Sequence, residues 1–395
     1  MTGRILPRFD FRVDVAADSI LGHVRQTNED ALLVAPEFAL FGVADGMGGL
    51  SHGEVASRLA VTTVRRELTE KAATKIFEAF LRSPTLDARR AVTECMRAAF
   101  LAAHDEVMKE HTSREAILGT TLDVCLLLRG KAFIAHAGDG RVFLVRSRAT
   151  LQLTEDHLVR DPHAKPSEAA RGPRPLSSGI GLPSPLRVDC FSVDVSRGDT
   201  LLLATDGAYG PLGDESALAG ISRGPVTGVV AEIMKNSLAR GGRDNASAVG
   251  LRIEDRFVAR PDERPFSDAM TLLADCALFA GLPTPALLAT LTAAVELELA
   301  EGDRLHAFEA GDFCAYVLLE GIVKIGEASF GPPALMFGES LVGVDQRRAP
   351  AHAIERVRCL RLRRDDIQEV SAHDPSLGLE LYRRLATHLA ETSRG

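Results

Sequence analysis

Carboxylates recur at one kind of place in the first 250 residues, where an apolar run halts at an Asp-Gly pair. Phe38 to Ala44 precede Asp45-Gly46, Phe133 to Ala137 precede Gly138-Asp139-Gly140, and Leu201 to Ala204 precede Thr205-Asp206-Gly207. Strands that end this way deliver acids to one edge of a sheet. Asp-Gly is also a favoured hairpin dipeptide, because both residues tolerate positive φ. That plain turn reading fits Asp139, which RVFLV follows as a return strand. Asp45 and Asp206 are followed by MGGLSHGE and AYGPLGDE, with no immediate partner strand. Two further acidic contexts are RQTNED, Arg25 to Asp30, and GGRDN, Gly241 to Asn245. Several carboxylates gathered without histidine or thiolate ligands suit hard, oxygen-seeking cations, Mg²⁺ or Mn²⁺, better than zinc. Without a cation their mutual repulsion is costly. Two such ions about 3.5–4 Å apart can share a bridging hydroxide and polarise a phosphoryl group, while an arginine fork grips two phosphate oxygens. The chemistry implied is metal-assisted hydrolysis of a phosphate ester.

These acids need a scaffold that alternates strands with long helices. Ser51 and Glu54 read as a capping box, and Val55, Leu59, Val64 and Leu68 recur at helical spacing, which predicts a helix from about Gly53 to Glu70. A second helix is predicted from about Leu86 to Glu110. Residues 160 to 187 hold six prolines and few large apolar side chains, which suits an irregular surface flap. The charged stretch 254 to 268, EDRFVARPDERPFSD, marks a seam. We therefore expect a first domain over 1–255, a linker over 256–269 and a second domain over 270–395. In the second, glycines at 302, 311, 321, 326, 331 and 338 punctuate short strands before a helical pattern, which predicts a small β-roll flanked by helices.

A length of 395 residues favours two or three domains over one core, and 46% apolar with 25% charged residues is a globular composition. Forty-six basic against 54 acidic side chains give a net charge of -8, which argues against a broad nucleic-acid surface. No apolar run is long enough to span a membrane, and Asp10, Asp14 and Asp18 stand where a signal peptide would be greasy. The expectation is a cytoplasmic protein without a membrane or nucleic-acid partner. The six scattered cysteines show no C-x-x-C and read as small buried apolar residues.

Over about residues 12 to 253 the chain resembles the metal-dependent serine/threonine protein phosphatases called PPM. The motifs that carry the resemblance occur in family order: RQTNED, FGVADGMGG, LGTT (Leu118 to Thr121), HAGDGR, LTEDH (Leu153 to His157), LLLATDG and GGRDN. The resemblance implies an α+β fold, an αββα sandwich of two antiparallel sheets flanked by helices. It implies two Mn²⁺ or Mg²⁺ ions with a third, weaker site, and phosphoserine or phosphothreonine proteins of a serine/threonine kinase pathway as substrates. By the same resemblance Asp45 bridges both metals and the Gly46 carbonyl binds one of them. Asp206 and Asp244 complete the other shell, and Asp139 serves the third site. Asp30 holds a metal-bound water, Arg25 the substrate phosphate, and Asn245 and Thr120 are supports. Two departures stand out. Met47 replaces the histidine that animal members often carry, as in bacterial members, and Gly140 replaces the serine of the GDSR motif. His23, His52, His136 and His157 are read as non-catalytic. The rival reading is a phosphatase-like module that binds phosphoproteins without hydrolysing them.

About residues 270 to 392 resemble a cyclic-nucleotide-binding domain, with GDRLHAFEAGDFCAYVLLEGIVKI and FGESLVGVDQRRAPA as the matching stretches. In that roll Val317, Leu319, Val323 and Ile325 are expected to face inward. The resemblance implies that Glu339 takes a ribose hydroxyl, that Arg348 pairs with the cyclic phosphate and that Ala349 follows it, with a cyclic nucleotide as ligand. Ser340-Leu341 stand where an aliphatic-Ala pair is usual, and Pro350 cannot donate a backbone hydrogen bond. Domains with this roll also serve as docking modules, and Arg347 and Arg348 can equally be a solvated pair.

Overall fold

The chain divides into two units, residues 1–259 and 260–395. The computed structural model describes residues 4–6, 11–48, 53–114, 118–146, 149–159, 174–213, 218, 224–256, 272–305, 313–344 and 350–392.

In the first unit, apolar runs rich in β-branched and small residues pair into two sheets. One has the order β1 (Arg4–Leu6), β2 (Phe11–Ile20), β12 (Ala246–Arg256), β11 (Thr200–Ala204), β8 (Arg141–Arg146), β9 (Ala149–Gln152). The other runs β10 (Asp189–Asp194), β7 (Lys131–Ala137), β6 (Leu122–Leu128), β4 (Leu40–Gly48), β3 (Asp30–Ala35), and β5 (Leu118–Thr120) joins the far end of β4. Every pairing is antiparallel. Strands β2, β11 and β12 lie against β3 and β4, so the sheets stack face to face. Helices α1 (Gly53–Thr69) and α3 (Leu86–Arg114) cover the second sheet, and α5 (Val226–Ala239) lies on β2 and β12. The expected two antiparallel sheets between helices are therefore present. Central strands β6 and β11 are buried along their whole length, which explains why they read as unbroken apolar runs.

Several expectations need correction. Helix α2 (Lys71–Arg82) was not anticipated, although Ala73, Phe77 and Phe80 form its buried face at helical spacing. RVFLV is not the return strand of a hairpin: β8 pairs with β11 and β9, and the chain crosses between sheets at Asp139. Nor does the strand end with the apolar run at Asp45, because β4 continues to Gly48 by pairing with β5. Within the stretch expected to be a surface flap, Ile180 is buried and exchanges both backbone hydrogen bonds with Thr120 at 2.9 Å. Residues 160–173 of that stretch lie outside the described residues, as do Ser51 and His52 and hence half of the expected capping box. Four cysteines are buried, whereas Cys95 and Cys190 are only half-buried.

The second unit contains a four-stranded antiparallel sheet, β13 (Val295–Leu299), β19 (Val357–Arg363), β14 (Cys314–Glu320), β17 (Ala334–Met336), and a three-stranded one, β16 (Ala328–Phe330), β15 (Val323–Ile325), β18 (Ala351–Ala353). Helices α6 (Thr284–Ala293), α7 (Arg364–His373) and α8 (Pro375–Thr392) accompany them. The core between the strands is built on Cys314, Tyr316 and Leu318 of β14. That is one place off the expected Val317 and Leu319, and a shift of one residue reverses the face of a strand. The sequence could not mark the face, because Val317 and Leu319 are buried as well. Of the expected linker, residues 257–269 lie outside the described residues.

Candidate active site

Two acids are placed by strand pairing. Asp30 opens β3 and stands directly opposite Asp45 in β4. Two threonines hold Asp45 through its main chain: Thr120 Oγ1 donates to the Asp45 carbonyl at 2.8 Å, and the Asp45 N–H donates to Thr121 Oγ1 at 3.0 Å. Gly46 must be glycine, because a Cβ there would lie 2.1 Å from the Gly53 carbonyl oxygen at the start of α1. Its N–H donates to the Glu29 carbonyl at 3.1 Å, and Ser57 of α1 donates to the same carbonyl at 2.6 Å. The Asp-Gly pair is thus wedged between α1 and the loop before β3.

The other acids come from ends of the first sheet. Asp206 follows β11 and opens the one-turn helix α4 (Asp206–Tyr209). Asp244 stands two residues before β12, in a loop that interlocks with residues 21–29. The His23 N–H donates to the Gly242 carbonyl at 2.7 Å, and buried Asn245 accepts from the Glu29 N–H at 2.9 Å while donating to the carbonyls of Leu21 and Thr27 at 3.0 and 3.1 Å. Arg25 lies on this loop, and its Nη2 donates to Asp244 Oδ2 at 2.8 Å. Thr205 ties the two sheets together: its Oγ1 donates to Asp30 Oδ2 at 3.0 Å and accepts from the Ser247 N–H at 3.0 Å.

The result is one cluster of crowded carboxylates. Burial, then the charges of Asp206 and Asp244, push Asp30 up to about 6 against the bonds from Ser247 and Thr205. Burial followed by the charges of Asp30, Asp206, Asp139 and Asp244 lifts Asp45 well above the carboxylate range. Asp139 is pushed up to about 6 by burial and then by Asp206, and Asp206 is raised by burial and then by Asp244. Asp30 Oδ1 and Asp206 Oδ1 are buried with no hydrogen-bond partner. Orphaned oxygens on mutually repelling, desolvated acids are what a hard divalent cation neutralises, so these residues fit Mn²⁺ or Mg²⁺. Among the described residues no three His, Cys, Asp or Glu side chains close into a ready-made cage.

The structure thus brings together Arg25, Asp30, Asp45, Gly46, Asp139, Asp206 and Asp244, with Asn245 and Thr120 beneath them. Thr121, Thr205, Ser57 and Tyr209 escaped the sequence reading, though the second threonine of LGTT and the threonine of LLLATDG were in view. His136 is fully buried, with Nδ1 2.7 Å from Asp123 Oδ1, and His157 Nε2 lies 3.1 Å from Asp189 Oδ2. In the second unit Glu339 lies in the 3₁₀ turn Gly338–Val342, while Arg347, Arg348 and Ala349 lie outside the described residues.

Residues 22–241 match the family model for protein phosphatase 2C. The serine/threonine phosphatase stp of Listeria monocytogenes is 32% identical over 175 residues, 42% of this chain and 64% of that protein. The serine/threonine protein phosphatase PstP of Mycobacterium tuberculosis is 28% identical over 246 residues, 61% of this chain and 45% of its own. Among solved structures, PppA, described as a key regulatory component of T6SS in Pseudomonas aeruginosa, is similar with TM-score 0.50 and 28% identity over 61% of this chain and 97% of that one. The catalytic domain of PstP in complex with two manganese ions gives TM-score 0.50 and 25% identity over 62% and 99%. This chain spans less than two thirds of the length of the curated relatives named here.

Proposed function

This chain belongs to the protein phosphatase 2C family, and from that premise we propose that it hydrolyses phosphoserine and phosphothreonine in proteins, assisted by Mn²⁺ or Mg²⁺. The observation that carries the reading is the gathering of half-buried Asp30, Asp45, Asp139 and Asp206, two of them with buried, orphaned oxygens. Acids held this way are costly to the fold unless cations use them. When bound, the cations supply an activated water and neutralise charge on the phosphoryl group. We assign them Asp45, the Gly46 carbonyl, Asp206 and Asp244, with Asp139 for a weaker third.

The protein's own residues do the rest. Arg25, nearly half exposed at the rim beside Asp244, offers a planar fork to the substrate phosphate. Asp30 is anchored through Oδ2 by Thr205, which leaves Oδ1 to accept a proton from the attacking water. Thr120, Thr121 and Asn245 fix the backbone on which this geometry depends. The test is release of phosphate from a phosphothreonine peptide by purified protein with MnCl₂ and with EDTA. Mn²⁺-dependent turnover supports the enzyme. Binding of the phosphopeptide without turnover would instead favour a phosphoprotein-binding module.

We also propose that residues 260–395 regulate this activity, with Glu339 and Arg348 as the pair that would hold a cyclic nucleotide. What supports this is the strand-rich unit joined in the same chain and the placement of Glu339 in a short turn. Calorimetry with cyclic AMP and cyclic GMP tests the ligand, and kinetics of residues 1–256 against the full chain test the coupling. The kinase pathway and the cytoplasmic location stay with this proposal. Among the described residues no helix is long and apolar enough to cross a membrane.

A further inference from the structure

Asp139 is held at the crossing between the sheets, and one side chain outside the acidic set touches its main chain. Tyr209 Oη donates to the Asp139 carbonyl oxygen at 2.8 Å. Tyr209 closes the same single turn that Asp206 opens, so this bond links the peptide of one candidate ligand to the helix of another. The ring itself is held. The Arg141 guanidinium lies over its face, 4.2 Å from the centroid, and the Phe143 ring meets its edge at 6.3 Å. Arg141 in turn is fixed by two bonds to Asp156, each 2.9 Å. A phenol packed this way loses little entropy on donating, and its aim is set by the ring.

We propose that Tyr209 is a positioning residue for the Asp139 cation site: its hydroxyl donates to the Asp139 carbonyl and fixes the peptide that carries the Asp139 carboxylate. This rests on the reading that Asp139 and Asp206 serve cations.

The test is titration of the full-length protein with MnCl₂ by calorimetry, for wild type, Tyr209→Phe, Asp139→Asn and the double variant. Tyr209→Phe keeps the ring and removes only the donor. It should weaken the weakest Mn²⁺ step about tenfold, the usual scale for a group that orients a ligand, and leave the tighter steps and the KM for phosphopeptide unchanged. The double variant should match Asp139→Asn alone. Wild-type Mn²⁺ binding by Tyr209→Phe would overturn the proposal. So would equal weakening of all steps, or additive losses in the double variant, because both would mean general loosening of the fold. If Asp139→Asn itself leaves Mn²⁺ binding unchanged, the underlying assignment of Asp139 falls and takes the clamp with it, an outcome separable from failure of Tyr209 alone.

Discussion

Arg25 donates from Nη2 to Asp244 Oδ2 at 2.8 Å, which ties the residue offered to phosphate directly to a candidate cation ligand. In the mechanism proposed above, this one side chain links substrate grip and cation shell. Removing the guanidinium takes a positive charge away from Asp244, which should leave Mn²⁺ bound at least as tightly as before. Losing a bidentate, charge-assisted contact costs about 1.5–3 kcal/mol. Arg25→Ala should thus raise KM and lower kcat/KM by roughly 10- to 100-fold. Loss of Mn²⁺ binding with normal handling of substrate would refute the role given to Arg25.

Asp206 follows β11 and Asp244 precedes β12 at the same end of that antiparallel pair, and the two are assigned to one ion. Either substitution to alanine should abolish most Mn²⁺-dependent turnover, and the double variant should be hardly worse than the singles, as for residues that act as a unit. Kinetics of the four proteins at saturating Mn²⁺ decide it, since multiplicative losses would mean separate ions.

A site that gathers acids should be strained when it is chelated. Asp45 lies among four other aspartates whose charges all push it the same way. Asp45→Asn should therefore raise the melting temperature in EDTA, by about 2–4 °C for each kcal/mol relieved, and should abolish the rise that Mn²⁺ gives the wild type. A variant that melts lower in EDTA and still responds to Mn²⁺ would show that Asp45 is structural.

The acids were legible because a strand running into Asp-Gly leaves a strong local mark, and so were α1 and α3, whose apolar residues repeat over many turns. What escaped were relations between distant segments. Nothing near Asp139 says that β8 joins the other sheet, since the choice between hairpin and crossover depends on β11, some 60 residues on. Thr205 and Ser57 look like ordinary polar residues until the segments they staple come together. In β14 the alternation that would mark a face is erased because both faces are buried.

His157 gives a pH signature. Its Nδ1 accepts from the Gly138 N–H at 3.3 Å and its Nε2 donates to Asp189, so the ring is wanted neutral. Burial, then the neighbouring His136, pushes it down to about 4. A group lowered in the folded state stabilises above its unfolded value, near 6.5, and that contribution is lost as pH falls toward 4. Relative to His157→Gln, the wild type should lose on the order of 3 kcal/mol between about pH 6.5 and 4. Denaturant melts across that range measure it, and parallel curves for the two proteins would remove the assignment.

The replacement of the family's serine by Gly140 follows from a neighbour in β6. A Cβ on Gly140 would sit 1.9 Å from Asp123 Oδ2, an atom that is buried without a hydrogen-bond partner. Asp123 is itself held by His136, whose Nε2 also faces the Glu155 carbonyl at 3.0 Å, so the carboxylate has nowhere to retreat. The buried Asp123–His136 pair therefore requires the glycine. Gly140→Ser alone should destabilise the fold by about 1–3 kcal/mol, the usual cost of overpacking a filled interior. Asp123→Ala alone should cost a similar amount by leaving His136 without its partner. In the double variant the serine enters the space the carboxylate leaves. The combined loss should then fall short of the sum of the singles by about 1 kcal/mol or more, a coupling typical of residues in contact. Additive losses in denaturant melts would mean that Gly140 is set by something other than Asp123.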